Sequence, residues 1–593
     1  MSRPWLALVL ILFCLPLFVG LRSLDLETDE AIYSFAVDRI LADGEWMQPK
    51  SSPSHTVVFL EKPPLKFWIV AAPIKAGLLP DDEFGLRFWD ALFGAVSFLY
   101  VFAIGSSLAG PICGAVAVLL LFLHGPLLFE HGLRTNNMEA PLFLCYCGGV
   151  YHFLQWASNT RRKTTHALAT GAYFALGFLT KFVAAAFLPL VLGLTVLAFR
   201  RLRMRILSER ATWTAVGLVL ALTLPWFAYA QWKFGSLLWE TMLAEHVYAR
   251  FTTALNQMHV QPWHYYVDSM WHALEPSGLR WLVPTGLVTL IVLSIRRRSV
   301  DGILVSLWAT VPIALISLGS SKLYHYAYPF LPPLMLAAGY LVALIVMLAP
   351  VVVRKLLDAI DDAIARMAPA WPRAASQPAV RALSGIVMAT AAIAVLWTAA
   401  FGDMRVAIGR SLVFKNTGAV RPMIALAAAG VLTRRSLQSA FMLVAMTLVW
   451  WTPIHAYRDT IPALRAEKHP LRDASACVSR VEQSLPPESR PGLFVDSDGS
   501  IWHPINFYFQ RIQPWTEQRT PAPETLDRYL HDPASFRPSL VQDDRYHAYL
   551  RGPEEARFNR GISPPMIPML DYTLLLPGPY RACSPESRLQ PVR

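Results

Sequence analysis

The chain has 593 residues, 54% of them hydrophobic and only 16% charged, and its mean hydropathy is positive. That balance excludes a soluble globular protein and points to a chain that crosses a membrane many times. The formal net charge of +12 sits in short clusters between apolar segments and not on one exposed domain, so nucleic acid is not an expected partner.

Apolar windows long enough to cross a bilayer fall at 5–22, 86–108, 111–130, 138–157, 166–181, 183–199, 211–231, 280–295, 302–319, 327–349, 382–402, 420–432 and 437–453. They predict a polytopic α-helical membrane protein with about thirteen transmembrane helices. Residues 1–22 carry Arg3 alone as a basic flank and lack an A-x-A-like cleavage site, so they read as a retained first helix. Placing the N-terminus inside puts Arg161-Arg162-Lys163, the run from Arg200 to Arg210, Arg296-Arg297-Arg298, the 350–381 segment and Arg434-Arg435 on the cytoplasmic side without one exception, as retention of Lys and Arg requires. The same assignment puts outside the 23–85 loop, the 131–137 turn, the 232–279 loop, Ser320-Ser321-Lys322 and everything after 453.

Within 351–367, Val353, Leu356, Leu357, Ile360, Ile364 and Met367 recur at helical spacing opposite Lys355, Asp358, Asp362 and Arg366. This reads as an amphipathic helix lying on the cytoplasmic leaflet, ended by Trp371-Pro372 and Gln377-Pro378. From 456 to 593 the chain turns Pro-, Arg- and Asp-rich, enough for one small soluble domain beside a 1–455 transmembrane domain. Strand patterns at 492–496 and 572–576 and helical ones at 505–510 and 524–531 make it a small extracytoplasmic α/β domain. Of six cysteines, Cys14, Cys113, Cys145 and Cys147 fall in apolar segments, whereas Cys477 and Cys583 fall in the tail, on the side where disulfides persist. A bond between those two is expected, the alternative being two separate buried thiols.

Eleven carboxylates lie from Asp25 to Glu83, between segments of membrane-grade hydrophobicity. On the outer face this loop would meet other polar residues at helix ends: Arg134, Asn136, Asn137, Glu139, Lys181, His246, Arg250, Lys322, Tyr324, His325, Tyr326 and Tyr328. Ionisable groups at membrane depth are costly and mark function by default. Cations and a divalent metal would neutralise the phosphate of a lipid-linked donor, and a carboxylate would take the proton of an acceptor hydroxyl. Candidates for these roles are the carboxylates Asp29, Glu30 and Glu139 and the substrate-binding groups Lys62, Arg134, Arg250, Lys322 and Tyr326. Glu61 and His246 would hold the divalent metal cation, and His246 and Arg250, four apart, share a helix face. The bland alternatives are an Arg134–Glu139 pair, lysines 181 and 322 snorkelling to headgroups, and Tyr324 and Tyr328 forming an aromatic belt.

At Thr28-Asp29-Glu30, Glu61-Lys62-Pro63-Pro64, Glu245-His246 to Arg250-Phe251 and Lys322-Leu323-Tyr324-His325-Tyr326 the chain resembles the GT-C membrane glycosyltransferases that use polyprenyl-phosphate sugars. The resemblance is to the aminoarabinose lipid A transferases and the protein O-mannosyltransferases in particular, and its layout covers roughly 5–455. It implies a GT-C fold, an acceptor-facing carboxylate at Asp29, metal ligands at Glu61 and His246, and phosphate binders at Lys62, Arg250 and Tyr326. The family often has an aspartate before a methionine where this chain has Asn137-Met138; either Glu139 takes its place or the second acid is missing. The implied activity is inverting transfer of a sugar from an undecaprenyl-type phosphate to a glycolipid, polysaccharide or protein hydroxyl at the periplasmic face of a bacterial inner membrane. The same charges would also suit a transporter or flippase of lipid-linked sugars, although such proteins commonly show repeated halves, and no repeat is visible here.

Overall fold

The computed structural model describes residues 3–50, 58–158, 162–253, 257–367, 377–408, 411–418, 420–431, 451, 453–496, 503–509, 515–518, 523–543, 566–569 and 572–584. They form two compact units, one of Met1–Val19, Leu60–Lys66 and Phe88–Arg465, the other of Gly20–Phe59, Phe67–Arg87 and Ala466–Arg593. The external loop therefore groups with the tail for the most part.

The larger unit is a helical bundle. Each apolar window up to 420–432 contains helix, because a backbone in hydrocarbon must satisfy its own hydrogen bonds. The 437–453 window lies almost wholly outside the described residues, as do Trp371-Pro372 and Arg434-Arg435. Among the described residues, six helices are long and apolar enough to cross a membrane, or seven if Tyr265–Ser277 and Leu282–Arg297, bent by 117°, count as one broken span. One of the six, Lys163–Ala198, is interrupted by the turn Phe182–Ala186, where Phe182 adopts a φ of 45°. Thr170 and Phe174 before the turn line the same crevice as Leu188 and Leu192 after it, so the two legs face one crevice. Helices approach closely where side chains are smallest: a Cβ on Gly105 would lie 2.5 Å from the Cα of Gly114, the small-residue packing usual between membrane helices.

Two features differ from the sequence reading. The amphipathic stretch 351–367 is not a separate helix on the leaflet; it continues the preceding span without a break as Leu331–Met367, since nothing between Ala349 and Val351 interrupts the backbone ladder except Pro350, whose lost donor did not suffice to end the helix. Between the expected spans 382–402 and 420–432 an antiparallel hairpin forms from β1, Met404–Ile408, and β2, Ser411–Asn416.

The smaller unit is built on five strands: β3, Leu493–Asp496; β4, Trp515–Gln518; β5, Ser539–Gln542; β6, Met566–Met569; and β7, Tyr572–Leu575. Their order is β4-β3-β5-β7-β6. The β3 strand pairs parallel with β4 and β5, and β7 antiparallel with β5 and β6. Helix Pro523–His531 lays Leu526 and Leu530 on Phe494, Val541 and Leu575 to make its core. The helices and strands expected at 492–496, 505–510, 524–531 and 572–576 are present within a residue or two.

Two helices also stand in the external loop, Thr28–Asp43 and Leu65–Lys75. The first packs on His503–Phe509 of the tail, with the rings of Phe35 and Phe507 5.5 Å apart. Asp25 caps a third helix, Pro470–Ser484, accepting from the backbone N–H of Leu471 at 2.7 Å and of Arg472 at 3.2 Å. Burial raises the Asp25 carboxyl to about 6 against these two hydrogen bonds, and Glu83 nearby adds to the rise. A carboxyl raised above its unfolded value binds its proton first in the folded state, so its contribution to stability is greatest in acid and is lost as pH rises through about 6. Asp25→Asn keeps a capping oxygen and removes the titration. The thermal midpoint of the wild type should accordingly fall relative to that of the variant as pH rises from about 4 to about 6, as a pH series of melting curves will read.

Cys477 and Cys583 are bonded, with Cα atoms 5.7 Å apart across a separation of 106 residues. The other four cysteines are free and buried. Tyr580 donates to Glu482 at 2.6 Å, and the N–H of Gly492 to the same oxygen at 3.1 Å, so the end of the chain is tied twice to helix Pro470–Ser484. Closing so long a loop restricts the unfolded chain by about 3–5 kcal/mol. Cys477→Ser with Cys583→Ser should lower the denaturant midpoint of this unit by a corresponding amount, and the wild type in reductant should match the variant.

Candidate functional site

A cavity of about 340 Å³ in the larger unit is lined by Glu61, Lys62, Lys181, His246, Arg250 and Tyr326. Five of these six are residues that the sequence reading assigned to donor or metal binding. Their convergence is built by backbone ties. The N–H groups of Ser320 and Ser321 donate to the carbonyls of Phe251 and Arg250, and that of Lys322 to His259, so the segment after Arg250 and the turn before Tyr326 run together. The Arg250 guanidinium then donates to the Tyr326 hydroxyl at 2.8 Å. His246 sits on a wide π-type turn, Glu240–Ala249, a form of helix that recurs at functional sites; His246 reaches the cavity from it and Arg250 from the residue that follows it.

His246 Nε2 lies 3.6 Å from Glu61 Oε1, while its Nδ1 is buried with no partner among the described residues. Burial, with Lys62 and Arg250 nearby, pulls the imidazole down to about 4, which leaves it neutral, the form that ligates metals. Two ligands each about 2.1 Å from one ion stand no more than about 4.2 Å apart, so this pair fits a shared cation. Among the described residues no group of three or more His, Cys, Asp or Glu gathers to hold a metal; further ligands would come from substrate or water. Lys62 is 12% exposed and 3.8 Å from Glu61. Burial draws its ammonium down to about 8 despite that carboxylate, and Lys181 and Arg250 pull the same way.

Glu139, a catalytic candidate in the sequence reading, stands among cations. It opens helix Glu139–Ala157, forms a buried ion pair with Lys181 and stands 3.6 Å from His325, whose ring stacks on His131 at 4.5 Å. Lys181 thus serves Glu139 and the cavity, with its ammonium over the Tyr326 ring at 5.3 Å, and is not a snorkelling lysine. Nothing in the spacing of Glu139 and Lys181 announced the pair. His325 also lines the cavity; its place in the Lys322–Tyr326 motif was the available signal.

Three expected substrate binders have structural partners. Arg134, 5% exposed, donates to the carbonyls of Leu17, Val19 and Leu464 and makes no pair with Glu139. Lys322 donates to the carbonyls of Gln261, at 2.8 Å, and Gly319. In the smaller unit Glu30 is fully buried and accepts from Arg87 Nε and Nη2, both at 2.7 Å, and from the N–H of Glu27 at 2.9 Å. Asp29 beside it is half-buried in the first turn of Thr28–Asp43. Tyr324 and Tyr328 are no belt: Tyr324 bonds His124 at 2.5 Å and Tyr328 donates to the Glu130 carbonyl at 2.7 Å.

The fold is shared with a solved membrane protein: the chain superposes on the crystal structure of ArnT from Cupriavidus metallidurans bound to undecaprenyl phosphate with a TM-score of 0.57 and 18% identity, over 96% of this chain and 97% of that one. An apo oligosaccharyltransferase from Archaeoglobus fulgidus superposes with a TM-score of 0.51 at 13% identity, over 99% of this chain and 78% of its own. In sequence, residues 61–229 match the dolichyl-phosphate-mannose-protein mannosyltransferase family. The chain is 26% identical over 349 residues to the undecaprenyl phosphate-alpha-4-amino-4-deoxy-L-arabinose arabinosyl transferase 2 of Pseudomonas fluorescens, covering 57% of this chain and 56% of that protein. It is 27% identical over 345 residues to arabinosyl transferase 1 of Sodalis glossinidius, covering 57% and 58%. It spans somewhat over half the length of the curated relatives it matches.

Proposed function

We propose that the protein is an inverting glycosyltransferase that moves a sugar from an undecaprenyl-type phosphate to an extracytoplasmic acceptor. The observation that carries this is one cavity with two characters. Lys62, Lys181 and Arg250 gather at it with Glu61 the carboxylate among the described lining residues and Glu139 paired to Lys181, while Phe182, Phe187, Leu315, Ile316 and Phe330 give it apolar walls. A phosphate on a polyprenyl chain asks for that combination: fixed cations stabilise charge on the departing phosphate without reorganisation, and apolar walls take the isoprene units. The likeness to the arabinosyl transferases and to the ArnT fold supports the same donor class and favours an enzyme over a transporter.

In the proposed step an acceptor hydroxyl attacks the anomeric carbon from the side opposite the phosphate. The bond from that carbon to the phosphate oxygen breaks, the polyprenyl phosphate leaves with the electron pair, and the configuration inverts. Asp29 takes the hydroxyl proton. Lys62, Arg250 and Tyr326 hold the phosphate, and Glu139 holds Lys181 in place. Glu61 and His246 would bind a divalent cation, which when bound supplies further positive charge for the phosphate.

The topology proposed with this function has about thirteen crossings, an N-terminus on the cytoplasmic side of a bacterial inner membrane, residues 1–455 as the membrane domain and 456–593 as a periplasmic α/β domain. The acceptor is a lipid A-like glycolipid, a polysaccharide or a protein hydroxyl. Reconstituted protein supplied with undecaprenyl-phosphate aminoarabinose and lipid A should yield a glycosylated acceptor by mass spectrometry. Hydrolysis or no reaction with each acceptor class, in protein that remains folded, would overturn the reading. Exhaustive chelation should lower turnover, with recovery on adding back a divalent metal; full activity with no metal by elemental analysis would remove the cation from the step.

A further inference from the structure

On the side that the charge pattern assigns to the cytoplasm, a second cavity of about 250 Å³ opens between five helices. Phe153 comes from Glu139–Ala157, Phe174 from Lys163–Lys181, Leu192 and Gly193 from Phe187–Ala198, Ile206 from Arg200–Ser208 and Val219 from Arg210–Phe234. The lining is almost wholly apolar. Its rim is not. Helix Arg200–Ser208 carries Arg200, Arg201, Arg203 and Arg205, and Arg210 opens the next helix.

Glu209 is the lone acid of the 200–210 run, and it is already engaged. It accepts from Trp156 Nε1 at 2.8 Å and stands 3.4 Å from Lys163 and 3.8 Å from Arg205. Arg205 also donates to the Ala157 carbonyl. Among the described residues, Arg200, Arg201, Arg203 and Arg210 have no carboxylate within ion-pairing distance. Trp213, 63% exposed, and Met204 and Leu207, also exposed, flank the same segment, as side chains do at the level of lipid headgroups.

Guanidinium groups without carboxylate partners above a crevice of hydrocarbon side chains match one ligand chemistry: a phosphate on an acyl chain. We propose that this crevice is a binding site for an anionic phospholipid of the cytoplasmic leaflet, whose phosphate meets the arginines and whose acyl chain lies along Phe153, Phe174, Leu192 and Val219. Arginine pairs with phosphate through parallel N–H donors, and anionic headgroups are drawn to basic segments next to membrane helices. A zwitterionic lipid would fill the crevice equally well but would carry its own cation to the rim, where the arginines repel it. The site is separate from the cavity at Lys62 and Arg250 and does not depend on the transfer reaction.

Gly193 supplies the test. It lines the crevice, and a Cβ built on it meets nothing within 4 Å. Gly193→Leu therefore has open space at its Cβ, extends a side chain toward the crevice and raises helix propensity. The probe is full-length protein in mild detergent, mixed with vesicles holding equal amounts of phosphatidylglycerol and phosphatidylcholine, repurified and weighed by native mass spectrometry. Wild type is expected to retain phosphatidylglycerol over phosphatidylcholine by about tenfold, Gly193→Leu to lose most of the retained lipid, and Arg203→Ala with Arg210→Ala to lose the preference for the anionic lipid. Equal retention of the two lipids by wild type would overturn the proposal. So would undiminished phosphatidylglycerol on folded Gly193→Leu, or an unchanged preference in the double arginine variant.

Discussion

Asp29→Asn is expected to lower the turnover of sugar transfer by about 10²- to 10⁴-fold, the range that a positioned proton acceptor contributes, with the protein still folded and inserted. The amide preserves the shape of the side chain and removes its ability to take a proton. Asp29 is half-buried in the first turn of Thr28–Asp43, whereas the buried ion pair that fixes this turn belongs to its neighbour Glu30. The proposed proton acceptor thus neighbours a carboxylate held in a buried ion pair, and the comparison is Glu30→Gln. That variant should lose thermal stability, by about 3–5 kcal/mol, because it leaves the Arg87 charge buried and uncompensated. Asp29→Asn should keep its melting curve and lose turnover; near-normal turnover would take Asp29 out of the reaction.

Lys62→Ala and Arg250→Ala are each expected to raise the donor concentration needed for half-maximal rate by about 10- to 150-fold, corresponding to loss of one charge-assisted hydrogen bond to phosphate. Acceptor dependence should stay within about threefold. Arg250 binds the Tyr326 hydroxyl at 2.8 Å, so Tyr326→Phe removes the partner and not the charge, and its effect on donor binding should be smaller than that of Arg250→Ala. A shift in acceptor dependence alone would move these residues to the other half of the site.

Part of this site was legible in the sequence because some of it is local. The Glu61-Lys62 motif is contiguous, and His246 and Arg250 are four residues apart, so pattern alone places them together. The apolar windows announced most helices, since hydrocarbon length fixes a helix length that composition records. What pattern did not show are pairings made across the fold. Glu139 and Lys181 stand 42 residues apart and Glu30 and Arg87 57, and each acid reads as free until its cation is placed. Arg134 and Lys322 have backbone carbonyls as their partners, and carbonyls leave no trace in a sequence. The helices Thr28–Asp43 and Leu65–Lys75 were hidden inside what composition showed only as an acidic loop.

Arg87 donates to the carbonyls of Leu21, Leu24 and Asp25 and to both oxygens of Glu30, and Asp25 in turn caps a helix 446 residues further along the chain. The first of these contacts can form as soon as residue 87 has been made. The second must wait for the tail. At about 5–20 residues per second of synthesis, the loop bearing Asp29 is finished roughly 20–90 s before its tail partner exists. During that interval the apolar face of Thr28–Asp43, later covered at Phe35 by Phe507, has no partner from the tail. The cell must therefore keep a half-built unit from aggregating while most of the membrane helices are inserted, and a stop codon anywhere before the tail would leave the loop permanently in that state.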